Sequence, residues 1–309
     1  MGDTPANGSI ADAIESARAV FEPFPDHWRI ASRAIELLAV DERVSGMFLS
    51  GSFAKGKPDR WSDIDFYIVA TPDSSLEELI GHQDKLIREV AEIATVFPAT
   101  HLRDPHQVIA FYKASEPIHV DYQYRKLGWL IPRRGDRNVV IVFDRSGDLE
   151  RWRQACEEAP LETSISSDQL SYLEIRFWGW CWYAHTKIER GELWEARDVL
   201  EYLRSNVLVT LAHNEGQVLE GNRRLEQKLR PDIQELLATT IPASHTPSSY
   251  RETLDRIVDA YLELFQQIPA AASDGVALVD SDYFMRAIAK ARGARQSSGA
   301  VRKPVRRSS

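Results

Sequence analysis

Apolar and polar residues alternate with a period of two over five short stretches in the first half of the chain: 46–50, 63–70, 107–113, 117–125 and 138–143. That spacing predicts strands, because successive side chains on a strand point to opposite faces. Between them the spacing lengthens to that of amphipathic helices over 27–40 and 75–95, the second preceded by the start signal Thr71-Pro72-Asp73-Ser74. From 168 onward only the helical spacing recurs, at 168–190, 193–213, 222–239, 247–267 and 281–292. Gly191 breaks the first two of these apart, and Pro231 lies inside or at the start of the third. The pattern predicts an α+β chain in which a mixed sheet with helices is followed by an all-α helical bundle. With 309 residues, two domains are expected rather than one, divided as 1–26 (an N-terminal segment), 27–150, 151–292 and 293–309 (a basic tail).

Composition narrows the class. No apolar run approaches the roughly 18 residues of a membrane span, and the N-terminus lacks the basic and apolar parts of a signal peptide, so a cytoplasmic protein is expected. The two cysteines, Cys156 and Cys181, have neither disulfide-framework nor zinc-ligand spacing. The net charge is −8, but the segment from Arg286 onward holds eight Lys and Arg and no acid, which leaves −16 on residues 1–285. A strongly acidic body argues against nucleic acid as a partner and for a small, cationic one. The basic end is rich in Ser, Gly, Pro and Arg and reads as disorder. No exposed apolar stripe is distinctive enough to set an oligomeric state.

Candidate chemistry concentrates between residues 48 and 70, Phe-Leu-Ser-Gly-Ser-Phe-Ala-Lys-Gly-Lys-Pro-Asp-Arg-Trp-Ser-Asp-Ile-Asp-Phe-Tyr-Ile-Val-Ala. Strand alternation puts Asp63 and Asp65 on one side and Ile64 and Phe66 on the other. Two carboxylates sharing one small volume repel each other unless a cation lies between them, and hard oxygen donors of this kind suit Mg²⁺ bridged to phosphates. Gly51 permits a tight turn, so backbone amides and the Ser52 hydroxyl can face those phosphates.

A Gly-Ser pair, a spacer of this length and then Asp-apolar-Asp-apolar resembles the DNA polymerase β nucleotidyltransferase superfamily, and within it the bacterial enzymes that adenylylate aminoglycoside and lincosamide antibiotics. The resemblance implies a third carboxylate on a neighbouring strand. Asp121 fits, in the alternating stretch 117–124 where His119, Asp121 and Gln123 share a face. It also implies that Asp63 and Asp65 hold the metal on the triphosphate and that all three carboxylates hold a second Mg²⁺ at the acceptor hydroxyl, with ATP as co-substrate. Gly51, Ser52, Lys55 and, from the helical part, Lys187 would bind the nucleotide; Lys57 and Arg60 lie within reach of the same phosphates. Lys187 has a second reading, as a surface lysine paired with Glu189 or Glu192.

The resemblance extends more weakly to residues 187–197, a turn that recurs in the helical domains of antibiotic-modifying members. The general base is left open between Asp121 and Glu192 or Glu195, with His119 and His185 behind them. Asp144 closes the catalytic domain in a turn. Phe177, Trp178, Trp180, Trp182 and Tyr183 are too crowded for one helix face, so most are expected in the core. The expected activity is metal-dependent transfer of a nucleoside monophosphate, AMP from ATP, to a hydroxyl of a small molecule. The alternatives are a protein side chain as acceptor, as in a regulator or toxin-antitoxin component, and a non-catalytic nucleotide-binding module.

Overall fold

Six strands, β1 (Val44–Leu49), β2 (Ile64–Ala70), β3 (Ile93–Pro98), β4 (Gln107–Tyr112), β5 (Ile118–Lys126) and β6 (Val140–Asp144), form one sheet in the order β3-β4-β5-β2-β1-β6. This is a computed structural model, which describes residues 10–72, 76–160, 165–213, 221–269, 273, 275–277 and 279–299. β2 and β5 run parallel and the other neighbours antiparallel. The pairing sets the two faces of the sheet: Ile64, Phe66 and Ile68 of β2 and Val120, Tyr122 and Tyr124 of β5 all enter one core. That core is closed by helices α1 (Ile10–Phe21), α2 (Pro25–Ala39) and α4 (Leu76–Val90), through side chains such as Phe21, Ile30, Ile35, Leu38, Leu79 and Ile87; α3 is the short Gly51–Ala54 helix after β1. Each large apolar side chain so buried contributes about 1.5–3 kcal/mol before entropy is counted. The buried Tyr112 hydroxyl donates to the Ile87 carbonyl (2.9 Å) and meets the Tyr122 hydroxyl at 2.8 Å, tying sheet to α4 without leaving a polar group unpaired.

The other face carries Asp65, Tyr67 and Val69 of β2 and Asp121, Gln123 and Arg125 of β5. Helix α5 (Asp148–Glu158) packs Leu149, Trp152 and Cys156 on Phe48 and Val69 of that face. The chain accordingly divides into compact units Met1–Leu161 and Glu162–Ser309, with α5 in the first.

Two elements depart from the expected pattern. The helix expected over 75–95 ends at Val90, and Ile93–Pro98 is an edge strand, paired Phe97 to Ile109. Ile93, Thr95, Val96 and Phe97 are β-branched or aromatic and prefer the pleated surface. Helix α1 makes the segment before residue 27 part of the core, with Ala17 and Phe21 fully buried.

The second unit is helical: α6 (Ser167–Arg190), α7 (Leu193–Tyr202), α8 (Val209–Ala212), α9 (Leu225–Lys228), α10 (Pro231–Thr239), α11 (Pro247–Gln266) and α12 (Ser281–Gly299). A Ser166/Gln169 capping box starts α6, and Gly191 at φ +76° stops it. A π-helical stretch, Leu203–Leu208, joins α7 to α8, and Pro231 begins α10 instead of lying within a longer helix over 222–239. Phe177 and Trp178 are buried, whereas Trp180 and Trp182 are more than a third exposed. Buried Glu174 accepts from Trp178 Nε1 (3.1 Å) and the Tyr261 hydroxyl, which is how a carboxylate persists in this core. Helix α12 continues to Gly299, into the basic segment read as disorder; its Ala and Arg residues favour helix, and Arg292 pairs with Asp255 at 2.8 Å. The remainder of that tail, 300–309, lies outside the described residues, as does much of the start signal before α4. Among the described residues no helix is long and apolar enough to cross a membrane.

Candidate active site

After β1 the chain turns through Gly51 at φ +67°, a left-handed conformation that glycine adopts without a Cβ penalty. A second constraint acts there: a Cβ on Gly51 would stand 1.8 Å from Asp65 Oδ2, so the turn lies directly against that carboxylate. Ser50 N donates to the Asp65 carbonyl at 3.1 Å, locking turn to strand. Ser52, the next residue, is buried, and its Oγ has no hydrogen-bond partner among the described residues. A buried hydroxyl without a partner is costly, which marks this one as a group suited to a bound acceptor.

The spacer to the acidic pair is tied down at several points. Lys57 N donates to the Ser52 carbonyl (3.0 Å), Trp61 N to Asp59 Oδ1 (2.9 Å), and Asp59 N to Ser62 Oγ (2.9 Å). From α2, His27 Nε2 donates to the Ser62 carbonyl at 3.1 Å; a carbonyl only accepts, so the proton sits on Nε2. His27 packs on Phe24 and Phe53, and burial pushes its pKa below the ordinary 6.5. Protonation therefore favours the unfolded chain: this contribution to stability is complete above about pH 6.5 and is lost as pH falls below it. Urea unfolding between pH 7.5 and 5 should show a decline in stability that His27→Gln reduces; an unchanged pH slope in the variant would contradict this placement.

Asp63 immediately precedes β2, Asp65 lies within it, and the parallel register sets Asp65 opposite Asp121 of β5. One oxygen from each of the three half-buried carboxylates lies within 4.8 Å of the others. Three hard anionic donors converging in so small a volume fit a divalent cation of the Mg²⁺ class. His119 Nε2 meets Asp121 Oδ1 at 2.9 Å, and its ring stacks on Phe111 with centroids 4.7 Å apart, so Asp121 is oriented from behind. The Asp121 hydrogen bond, opposed by burial and aided by the charges of Asp121, Asp63 and Asp65, raises the His119 pKa.

The structure thus brings Asp63, Asp65, Asp121, Gly51 and Ser52 together. Lys55 caps the C-terminus of α3 on the exposed spacer, and the Arg60 guanidinium sits 4.3 Å from the Trp61 ring centroid. Lys187 belongs to the other unit, its Nζ at 2.7 Å from Glu192 and 2.9 Å from Glu195, so of the two partners read from sequence it pairs with Glu192, while Glu189 pairs with Arg251 at 2.6 Å; both carboxylates considered as bases are engaged by Lys187. His185 is buried in the helical core. Asp144 accepts from Gly147 N and Glu150 N, both at 3.0 Å, and so serves the turn and the start of α5. Sequence reading missed His27 as an anchor of the spacer. Asp59 and Ser62 form a turn readable from sequence, but nothing local signals a bond to a residue 35 positions away.

Residues 32–116 match the family of nucleotidyltransferase domains. No curated protein matches the chain by sequence. Among solved structures it is similar to an aminoglycoside 6-adenyltransferase from Bacillus subtilis, at 12% identity, 86% of this chain, 95% of that one and a TM-score of 0.38. It is also similar to a nucleotidyltransferase-like protein from Exiguobacterium sibiricum, at 14% identity, 81% of this chain, 74% of that one and a TM-score of 0.34.

Proposed function

We propose that this chain, a nucleotidyltransferase by its domain, transfers AMP from ATP to a hydroxyl of a small cationic acceptor of the aminoglycoside or lincosamide type, releasing pyrophosphate. The observation that carries the reading is the convergence of Asp63, Asp65 and Asp121 beside the Gly51 turn and the partnerless Ser52 hydroxyl. Asp63 and Asp65 would hold the cation on the triphosphate, and Asp121 with them a second one at the acceptor. Bound there, divalent metal would neutralise charge on the phosphates and acidify the acceptor hydroxyl. Ser52 Oγ supplies a hydrogen bond to a phosphate oxygen, and Gly51 leaves room for the Asp65 carboxylate beside it. His119 keeps Asp121 Oδ1 engaged on one side, fixing which oxygen faces the substrate. The −16 charge on residues 1–285 favours a cationic acceptor over a polyanionic one.

The test is pyrophosphate release with each nucleoside triphosphate, Mg²⁺ and a panel of aminoglycosides and lincosamides. Release that requires ATP and one acceptor, with a product heavier by one AMP, is the expected result. Nucleotide binding without turnover across the panel would overturn the acceptor assignment.

A further inference from the structure

A cavity of about 320 Å³ lies on the opposite face of the sheet from the three carboxylates, within the first unit. Tyr124 of β5 lines it, three residues beyond Asp121 and on the core side of the strand with Val120 and Tyr122. Its walls come from α2 through Leu37 and Leu38 and from α4 through Leu79 and Leu86, with Asp41 and Arg43 of the α2–β1 connection beside them. The sheet stands between this space and the Asp63, Asp65 and Asp121 oxygens, so a molecule seated here is neither the triphosphate nor its acceptor.

Two polar atoms of the lining are left without complements. Tyr124 is only 1% exposed, and its hydroxyl is buried with no hydrogen-bond partner among the described residues. Burial raises its pKa, so the group stays an O–H donor. Gln83 Oε1, from α4, is likewise buried and partnerless, an acceptor that lacks a donor. Unmade hydrogen bonds in a buried site are costly, and the pair asks for a molecule that both accepts and donates. The charged lining is already matched: Arg43 donates to Asp41 from Nε (2.9 Å) and Nη2 (2.6 Å), and Lys85 lies 3.8 Å from Glu89. His82 is engaged too, its Nδ1 2.7 Å from the Glu78 carbonyl. Two acids and two bases leave no net charge for an ionic ligand to answer.

We infer that this cavity is a second binding site, for a small uncharged molecule that joins an apolar body to a carboxamide. The amide carbonyl accepts from the Tyr124 hydroxyl, an amide N–H donates to Gln83 Oε1, and the body lies against the leucines. A carboxylate has no proton for Gln83 Oε1, and an ammonium has no lone pair for the Tyr124 O–H, so either ion leaves one of the two atoms unpaired. The volume falls within the range of small-molecule pockets, about 300–1,000 Å³. The inference is independent of the proposed reaction.

The test is a nuclear magnetic resonance titration of the full chain with benzamide, benzoate and benzylamine, repeated on Tyr124→Phe and Gln83→Leu and again with Mg²⁺ and ATP present. Benzamide should bind saturably, with a Kd on the order of 1 mM for so small a probe, and at least about tenfold tighter than either charged probe. Each variant should weaken benzamide by about three- to tenfold, the loss of one neutral hydrogen bond, and ATP should not displace it. Tyr124→Phe should melt no lower than the unmodified chain, because it deletes a hydroxyl that has nothing to bond. Gln83 is half-buried on α4, so Gln83→Leu stays readable if the core substitution disturbs folding. A lower melting temperature in a folded Tyr124→Phe would mean that bound water satisfies the hydroxyl, and overturns the inference. Absence of saturable benzamide binding, equal binding of the three probes, benzamide affinity unchanged in both variants, or displacement by ATP overturns it as well.

Discussion

The Asp63→Asn, Asp65→Asn double variant is expected to lose nucleotide transfer by about three orders of magnitude or more while remaining folded. One oxygen from each of these two carboxylates and from Asp121 lies within 4.8 Å of the others, and a cation bound among them would relieve that density of negative charge. Metal stabilisation of phosphoryl charge is worth several kcal/mol, and each 1.4 kcal/mol is a factor of ten in rate, so removing two of the three donors accounts for a loss of this size. Stability should move the other way or not at all, because the substitution relieves repulsion between half-buried like charges. Pyrophosphate release and a urea melt on the same preparation separate the two effects. A double variant that keeps a tenth of the activity would remove these carboxylates from the chemistry.

Gly51→Ala is the second large effect. Its methyl group would stand 1.8 Å from Asp65 Oδ2, a distance no side chain tolerates, and φ of +67° adds a left-handed penalty of about 1–2 kcal/mol. Either the turn after β1 moves or the Asp65 carboxylate rotates out of the cluster; displacement of about 1 Å near reacting groups costs on the order of a hundredfold in rate. We expect at least that loss, with destabilisation of about 1–3 kcal/mol. Gly56 provides the control, since it has nearly the same φ, +65°, but nothing within 4 Å of where its Cβ would be. Gly56→Ala should show only the backbone cost, about 1–2 kcal/mol, with activity retained. Equal activity in the two variants would contradict the contact argument.

These two predictions also mark what was legible in the sequence. The Asp-x-Asp pair could be read because strand periodicity alone decides which side chains share a face, and Ile64 and Phe66 do enter the core opposite Asp65. That Gly51 presses on Asp65 could not: a glycine announces a turn, but which atom it approaches depends on how β1 and β2 pair, Leu49 to Phe66. Asp121 needed a family resemblance, because its position opposite Asp65 comes from the register of two parallel strands far apart in sequence. The edge strand Ile93–Pro98 was hidden by a preceding helix whose apolar spacing runs into it without a strong stop signal. The end of the first unit was likewise set by tertiary packing, since Leu149, Trp152 and Cys156 look like any amphipathic helix until they meet Phe48 and Val69. Lys187 shows a mixed case: its pairing with Glu192 was readable as a local one, whereas Glu195 in place of Glu189 follows from the turn at Gly191, which brings the start of α7 back onto Lys187.

Whether Asp63, Asp65 and Asp121 act together as a cation site for a triphosphate is open to measurement without turnover. Mn²⁺ binding followed by electron paramagnetic resonance, in the presence of a non-hydrolysable ATP analogue, should show protein-bound metal in the unmodified chain and only the nucleotide's own metal in the Asp63→Asn, Asp65→Asn variant. Identical spectra and affinities from the two proteins would contradict the central claim.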